Sequence, residues 1–297
     1  MELCLGTVQF GLDYGIIGQK KPSLEYALDC LDYATQNGIL AIDTATAYGT
    51  AESVVGAFLA KRTIARDQLF ISTKMLPNIL DSVPENELEK VIKENIEKSL
   101  SILRTDYVDA YMLHSSRYAF RQDILAALHK IQENGLAKKV GVSVYEPEEA
   151  IAGLESQKVT ILQLPYSVFD HRMKESGVLD SKMENRCEIH ARSAFIQGLI
   201  TLSEEQVPEF LKRAKPVIRK IDAVCKNTGL SRIELAMAYI KREKRISHLV
   251  FGIDSLEQLK EDIQSFNKDV PEDLLIQIEE EFRNIDTDIV MPSLWKK

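Results

Sequence analysis

The sequence predicts an α/β protein folded as a single-domain (β/α)8 TIM barrel over residues 1–297, with extra helices late in the chain. Short apolar runs, typical of strands buried on both faces of a parallel sheet, recur along it. Segments of helical periodicity separate these runs, and no low-complexity linker interrupts the alternation, which favours one barrel domain. The alternative is an open doubly wound sheet, but Leu5–Gly11 lacks the G-x-G-x-x-G spacing of such a first turn.

The apolar runs number eight, which is the number of strands that a barrel of this class requires. Each run is short enough for one strand, and helical segments flank it. The predicted strands are Glu2–Val8, Ile39–Ala45, Gln68–Thr73, Tyr107–Leu113, Lys139–Val144, Thr160–Leu164, Glu188–Arg192 and His248–Ile253.

The segments between the strands have helical periodicity, and several end at recognisable caps. Asn37-Gly38 is typical of a left-handed C-terminal cap, and Ser231 and Ser255 each begin a capping box. The last predicted helices are additional to the eight strand–helix units that a minimal barrel contains. The predicted helices are Ser23–Gln36, Ala51–Lys61, Pro84–Leu103, Ile124–Glu133, Pro147–Leu154, one within Gly177–Arg186, Pro208–Lys226, Ser231–Lys241, Ser255–Phe266 and Pro271–Arg283.

Composition and charge exclude several classes of function. The net charge is −8 and no dense basic cluster is present, which argues against a nucleic-acid partner. No stretch approaches the roughly 20 apolar residues that cross a bilayer, and the start of the chain lacks a signal-peptide pattern. The 4 cysteines show no metal-ligand spacing. We therefore expect no metal site, a cytoplasmic location, and a monomer or weak homo-oligomer.

Four polar side chains follow three successive predicted strands. Asp43 ends strand two, Tyr48 lies in the next loop, Lys74 ends strand three and His114 ends strand four. In a barrel, the carboxyl ends of the strands carry the active site. Each residue alone has a structural explanation, such as a loop cap, a packed phenol, a solvated lysine or a buried histidine. Their coincidence on one rim indicates catalysis.

These side chains suit the reduction of a carbonyl group. The oxygen of an aldehyde or ketone gains charge as hydride arrives, so it needs a proton donor and nearby positive charge. Tyr48 can donate the proton, and the ammonium of Lys74, held by Asp43, is expected to lower the phenol's pKa from about 10. A neutral His114 can hydrogen-bond the same oxygen. No side chain carries hydride, so a cofactor is required.

The later strands offer a cradle for this cofactor. Ser143 and Gln163 end adjacent strands and present a hydroxyl and an amide to a carboxamide. The loop 192–198 offers backbone donors, and the helix that begins at Ser255 brings its N-terminus to the same rim. Phosphate sites of barrels often lie after strands seven and eight.

On these motifs the chain resembles the aldo-keto reductase family, in order and over nearly its whole length. The matching motifs are I-D-T-A-x-x-Y-G-x-x-E at Ile42–Glu52, S-T-K at Ser72–Lys74, Y-x-L-H at Tyr111–His114, G-V-S at Gly141–Ser143, Q-x-P-Y-S at Gln163–Ser167 and G-x-x-S-x-x-Q-L at Gly252–Leu259.

The resemblance implies reduction of aldehydes or ketones, or oxidation of alcohols, with NADP(H) or NAD(H). It makes Asp43, Tyr48, Lys74 and His114 the catalytic tetrad. It also implies a set of cofactor contacts spread over five strand ends. These are Thr7, Ser143, Gln163, Arg192, Ser193, Phe195, Gln197, Gly198, Gly252, Asp254, Gln258 and Asp262.

The chain departs from the family pattern at three places. Val144 stands where many members have asparagine, which removes one polar contact to the carboxamide. Arg192 replaces a tyrosine, and its guanidinium is expected to cover the nicotinamide face. After strand eight, Asp254, Glu261 and Asp262 stand where NADP-preferring members usually carry basic residues. Carboxylates repel a 2′-phosphate and accept a 2′-hydroxyl, which favours relaxed specificity or a preference for NAD.

The substrate and two other functions stay open at this point. Candidates to line the substrate pocket are Phe10, Tyr14, Ser115, Arg117, Tyr145 and Trp295. Arg117 would suit a polar or anionic carbonyl compound, although it is also a typical solvated loop residue. One alternative is a non-catalytic, cofactor-sensing subunit of a larger assembly. The other is a barrel enzyme of unrelated chemistry, such as isomerisation through Lys74, because substrate loops vary freely on this scaffold.

Overall fold

Eight parallel strands close into a barrel in sequence order, from β1 to β8 and back to β1. The computed structural model describes residues 1–180 and 186–296. All eight predicted strands are confirmed. Their bounds are β1 Glu2–Gly6, β2 Ala41–Asp43, β3 Phe70–Met75, β4 Val108–Leu113, β5 Ala137–Ser143, β6 Ile161–Pro165, β7 Glu188–Arg192 and β8 Ile246–Gly252.

The side chains that point into the barrel form small clusters that are separate from the main hydrophobic core. Cys4, Ala41 and Val250 form one cluster with Phe70, on neighbouring register positions of β1, β2, β8 and β3. Successive side chains on a strand alternate between faces. Every second residue of a strand therefore points into the barrel. Asp43 lies two positions after Ala41, so its side chain is on the same inward face, at the carboxyl end of β2.

Nine helices longer than one turn surround the barrel in the described residues. The helix bounds are α1 Leu24–Gln36, α2 Ala51–Ala60, α3 Leu88–Leu103, α4 Gln122–Glu133, α5 Pro147–Glu155, α6 Lys215–Thr228, α7 Arg232–Lys241, α8 Leu256–Phe266 and α9 Glu272–Glu281. The predicted caps are confirmed. The hydroxyls of Ser231 and Ser255 accept the backbone N–H of Glu234 and Gln258, and Gly38 after α1 has φ 85°.

Two predicted helices differ from the structure. The predicted helix Pro208–Lys226 is a 3-10 segment, Glu209–Ala214, followed by α6. Pro216 lies in the first turn of α6, where its missing N–H and fixed φ suit a helix start and not a helix interior. The helix expected within Gly177–Arg186 lies partly outside the described residues. The segment before it forms one short turn of helix, Arg172–Glu175.

Packing places a closed apolar layer between barrel and helices and leaves one rim open. The outward side chains of the strands join those of the helices in one large buried cluster. None of the helices in the described chain is both long enough and apolar enough to cross a membrane. The carboxyl ends of the strands, with the loops that follow them, surround a cavity that contains the predicted site.

Candidate active site

The cavity at the carboxyl rim is lined by residues from most of the length of the chain, from Gly6 to Ser293. Most predicted site residues lie in its wall. The lining residues are Gly6, Thr7, Val8, Gln9, Tyr14, Gly15, Asp43, Tyr48, His114, Ser143, Tyr145, Gln163, Arg192, Ser193, Ala194, Phe195, Ile196, Gln197, Gly198, Thr201, Val250, Phe251, Gly252, Asp254, Gln258, Pro292 and Ser293.

A buried ion pair lies at the floor of the cavity. Nζ of Lys74 lies 2.6 Å from a carboxylate oxygen of Asp43 and donates a second hydrogen bond to the carbonyl of Thr44. Lys74 is fully buried and lies inside β3, one position before its end. Burial alone would lower the pKa of Lys74, but attraction to Asp43 and Tyr48 raises it above its ordinary value. The lysine is therefore held as an ammonium.

Tyr48 lies above this ion pair, in the loop that follows β2. Nζ of Lys74 lies 5.1 Å from the centre of its ring. Burial raises the pKa of Tyr48 above its ordinary value, and the ammonium of Lys74 opposes that rise without reversing it. The effect of the lysine has the expected sign, but the expected net decrease is wrong for the protein without ligand. The loop turns at Gly49, where φ is 59° and a Cβ would lie 2.5 Å from the carbonyl of Gly11.

His114 meets Tyr48 edge to face across the cavity floor. The ring centres lie 5.7 Å apart at an interplanar angle of 81°. Burial lowers the pKa of His114 to about 3, and the positive charges of Lys74 and Arg192 act in the same direction. Its Nδ1 is buried and has no hydrogen-bond partner among the described residues. The structure therefore brings the four predicted side chains together, with a neutral imidazole at neutral pH.

Gln163 connects the tetrad to the neighbouring wall. Its Nε2 donates to a carboxylate oxygen of Asp43 at 2.8 Å, and the same oxygen accepts the hydroxyl of Ser72 at 2.8 Å. Ser143 lies beside Gln163 in the register of β5 and β6. The amide expected to face a carboxamide thus also orients Asp43, a contact that the sequence pattern did not indicate.

Arg192 spans the cavity wall at the end of β7. Its guanidinium stacks over the ring of Tyr145 at 4.4 Å and donates to the carbonyl of Val144 at 2.7 Å. The next residues form a tight loop, with positive φ at Ser193, Ile196, Gln197 and Gly198. Non-glycine residues in this region of φ store strain, which is typical of ligand-binding segments.

The end of β8 presents an acidic group to the cavity. Asp254 is exposed in the lining, and its backbone N–H donates to the side chain of Gln258. Asp262 does not line the cavity: it is buried in α8, and within the described chain neither carboxylate oxygen has a hydrogen-bond partner. Burial raises the pKa of Asp262 to about 8, and the charges of Glu261 and Asp254 add to the rise.

Some of the residues expected to line a substrate pocket lie in the cavity wall, and others do not. Tyr14 and Tyr145 line the cavity, whereas Phe10, Ser115, Arg117 and Trp295 do not. Arg117 instead pairs with Asp81 at the surface. Gln9 and the tail residues Pro292 and Ser293 were missed. The position of Gln9 directly after β1 was the available signal, but nothing in the local sequence indicated the path of the tail.

A family model supplies the deciding comparison. The model described as the aldo/keto reductase family matches residues 2–281. The chain belongs to this family. Membership supports an oxidoreductase that acts on carbonyl groups, and it leaves the choice between NAD and NADP undetermined.

Curated relatives match over most of their length. The chain is 27% identical over 279 residues to the uncharacterized oxidoreductase YqkF of Bacillus subtilis (strain 168), covering 89% of this chain and 88% of the relative. It is 24% identical over 274 residues to the NADH-specific methylglyoxal reductase of Escherichia coli (strain K12), covering 82% and 83%.

A solved structure shows the same fold. The thermostable aldo-keto reductase Tm1743, solved with the inhibitor epalrestat, superposes with a TM-score of 0.71 at 22% identity and covers 94% of both chains.

Proposed function

We propose that the protein reduces an aldehyde or ketone, or oxidises the corresponding alcohol, with a nicotinamide cofactor bound in the rim cavity. One observation carries the proposal. Lys74 lies 2.6 Å from Asp43 and 5.1 Å from the ring of Tyr48, and His114 closes the same floor. A phenol, an ammonium and a neutral imidazole that converge on one point suit the protonation of a carbonyl oxygen.

Tyr48 is the proposed proton donor. Its raised pKa keeps the phenol protonated in the protein without ligand, so the proton is available when the carbonyl oxygen gains negative charge. The ammonium of Lys74 then stabilises the phenolate that remains, since an adjacent opposite charge favours the ionised form. Asp43 holds Lys74 in place and keeps it charged.

His114 positions the substrate in this proposal. Because its pKa is lowered to about 3, the imidazole is neutral at physiological pH and can donate one hydrogen bond to the carbonyl oxygen. A second charged donor beside Lys74 would raise the cost of burying the site. The neutral ring fixes the oxygen without that cost.

The cofactor would lie along the wall formed by β1 and β5–β8. When bound, the nicotinamide supplies the hydride that no side chain carries. Ser143 and Gln163 can bind its carboxamide, and Thr7 and Gly252 line the wall beside it. The loop 193–198 and the N-terminus of α8 present backbone N–H groups suited to the pyrophosphate. Arg192 is held by Tyr145 and Val144 in the cavity wall, which supports a role for its guanidinium beside the nicotinamide.

The acidic end of the cavity should bind NADH at least as tightly as NADPH. Asp254 lies in the lining at the start of α8, and Arg192 is the single lysine or arginine among the described lining residues. A carboxylate there can accept a ribose hydroxyl and repels a 2′-phosphate. The NADH-specific name of one relative agrees with this choice. Asp262 adds no carboxylate to this end of the cavity, because it is buried in α8 and does not line the cavity.

The test is turnover of NADH or NADPH, followed by absorbance with a panel of sugars and small aldehydes. We expect Tyr48→Phe to lower kcat by about a hundredfold or more, since general acid catalysis contributes about 10²–10⁴-fold. Tyr14→Phe is the matched control, because it removes a phenol from the same cavity. It should change kcat by less than about tenfold.

Three results would contradict this proposal. Retained turnover in Tyr48→Phe rules out Tyr48 as the acid, and a larger loss in Tyr14→Phe assigns that role to Tyr14. Cofactor binding without turnover of any carbonyl compound in the panel would favour the cofactor-sensing alternative. Isomerisation without nicotinamide would favour the unrelated chemistry.

A further inference from the structure

Three side chains suited to metal binding converge at the amino-terminal mouth of the barrel, opposite the catalytic rim. Glu188 and His190 lie on one face of β7, and His248 is the register partner of His190 on β8. One ligand atom from each lies within 4.8 Å of the others. No sequence motif indicates this cluster, because its members come from two separate strands and follow no metal-ligand spacing.

The atoms already have nearly the spacing of a coordination sphere. Oε1 of Glu188 lies 2.7 Å from Nε2 of His190 and 3.2 Å from Nδ1 of His248. Around a tetrahedral zinc ion with bonds of about 2.0–2.1 Å, neighbouring ligand atoms lie about 3.3 Å apart. The contact with His248 already matches this spacing to about 0.1 Å, and the contact with His190 would have to lengthen by about 0.6 Å to admit an ion.

The two imidazole rings are packed together at this mouth of the barrel. Their centres lie 4.3 Å apart, and the ring of Phe70 packs against both. His190 is fully buried and His248 is half-buried beside it. The packing therefore fixes both rings next to the carboxylate of Glu188.

The surroundings hold the ligands in orientation. Nε2 of His248 lies 3.5 Å from a carboxylate oxygen of Glu2 on β1, so the ring can donate to Glu2 while Nδ1 faces the cluster. Carboxylates commonly orient metal-binding histidines in this way. Lys139 opposes a dication, but its ammonium pairs with Oε2 of Glu188 and leaves Oε1 directed at the rings.

We infer that Glu188, His190 and His248 form a binding site for a divalent transition-metal ion, for which Zn²⁺ is the best fit. Two histidines and one carboxylate are a ligand set that zinc uses with water in the fourth position. The side chains of Glu188 and His248 are 16% and 11% exposed, which gives the ion a path from solvent. The β7–β8 ladder shifts register between Ile189 and His190. An ion bound there would join the two strands at this irregularity.

The test begins with metal-free protein titrated with Zn²⁺ and, separately, with Co²⁺. We expect one ion per chain, a higher Tm, and a Co²⁺ spectrum of nitrogen and oxygen ligands without a sulfur charge-transfer band. His248→Gln and Glu188→Gln should each weaken Zn²⁺ binding by about a hundredfold, and Glu2→Gln by about tenfold. His171→Gln, a buried histidine that stacks on Tyr239 outside the barrel, should leave binding unchanged.

The inference does not rest on the proposed carbonyl chemistry, and its failure would be separate. Stoichiometry far below one ion per chain, or unchanged binding in His248→Gln and Glu188→Gln, would overturn it. So would a sulfur band in the Co²⁺ spectrum, which would assign the ion to a cysteine such as Cys187. If the variants do not fold, anomalous diffraction from a zinc-soaked wild-type crystal decides. A peak at the amino-terminal mouth supports the site, and a crystal without that peak overturns it.

Discussion

Lys74 connects the stability of the protein with the catalysis that we propose. It is buried with its charge, and its only anionic hydrogen-bond partner within the described chain is Asp43. Replacing it with methionine leaves the buried carboxyl group of Asp43 without its counter-ion. Breaking a buried pair in this way costs about 3–5 kcal/mol of unfolding free energy. We therefore expect Lys74→Met to lower the urea midpoint strongly and to reduce kcat by about a hundredfold or more.

A surface lysine provides the matched control for this variant. Lys130 pairs with Glu133 at 2.7 Å, and its side chain is about half exposed. Lys130→Met should cost less than about 1 kcal/mol, because water screens exposed pairs. Equal losses in the two variants would mean that the burial of the Asp43–Lys74 pair has no energetic consequence.

The raised pKa of Asp262 predicts that the stability of the protein depends on pH. Burial raises the pKa of Asp262 in the folded protein from its ordinary value of 3.8 to about 8. Between these values the folded chain binds a proton that the unfolded chain has released, so the unfolding free energy falls as pH rises. The contribution is complete below about pH 4 and lost above about pH 8. Below about pH 8 the carboxyl of Asp262 is therefore neutral and adds no negative charge near the cavity.

Asp262→Asn tests this sign by urea unfolding at pH 5 and pH 8. The neutral amide should reduce the loss of unfolding free energy between the two pH values by at least about 1.4 kcal/mol, the equivalent of one pKa unit. Asp269→Asn, at an exposed position after the same helix, should not change the pH profile. Parallel profiles for Asp262→Asn and wild type would show that Asp262 titrates normally.

At the scale of elements, the strand pattern explains why the tetrad could be predicted. Asp43 and Lys74 follow apolar runs, and side chains of alternate residues share a face, so the inward rows of β2 and β3 had to bring them to one rim. The details of β3 were less predictable. Its ladder continues through Lys74 to Met75, because β4 pairs with it up to Leu113. The lysine is consequently buried under the rim.

Long-range burial limits what the sequence can show. Asp262 was expected near the cofactor because it stands where NADP-preferring members of the family usually carry basic residues, yet the packing of α8 buries it away from the cavity. The opposite sign of the Tyr48 pKa shift has the same origin, since desolvation depends on the whole wall of the cavity. The tail at Pro292 and Ser293 has no periodicity that indicates its destination.

The helix that follows β8 yields a prediction about binding. Ser255 caps α8 at the cavity and Ser231 caps α7 elsewhere, each accepting a backbone N–H at 3.1 Å. Replacing either serine with alanine should cost about 1 kcal/mol of unfolding free energy. Only Ser255→Ala should also weaken cofactor binding, by about fivefold, because only α8 directs its N-terminus at the proposed pyrophosphate or ribose.

Fluorescence titration with NADH, beside urea unfolding, separates the two effects. Equal weakening of cofactor binding in Ser231→Ala and Ser255→Ala would mean that general destabilisation is responsible. Unchanged binding in Ser255→Ala would remove α8 from the cofactor site.

At the scale of the whole molecule, charge opposes an additional phosphate. The net charge of −8 repels anions at long range, and Asp254 adds a local carboxylate at the rim. A 2′-phosphate brings further negative charge, so NADPH is expected to bind no more tightly than NADH. At a concentration of about 100 Kd, either cofactor stabilises the folded state by about 2.7 kcal/mol, which raises Tm by several degrees.

Two charge-reversal variants can separate the local effect of Asp254 on cofactor binding from the effect of the protein's net charge. Asp254→Arg and Glu257→Arg change the net charge equally, but Asp254 alone lines the cavity and Glu257 is exposed on α8. We expect Asp254→Arg to shift the ratio of the two Kd values toward NADPH by about tenfold or more, and Glu257→Arg by less than about threefold. Equal shifts would assign the preference to the field of the whole protein. A hundredfold preference for NADPH in the wild type would exclude the proposed role of the acidic rim.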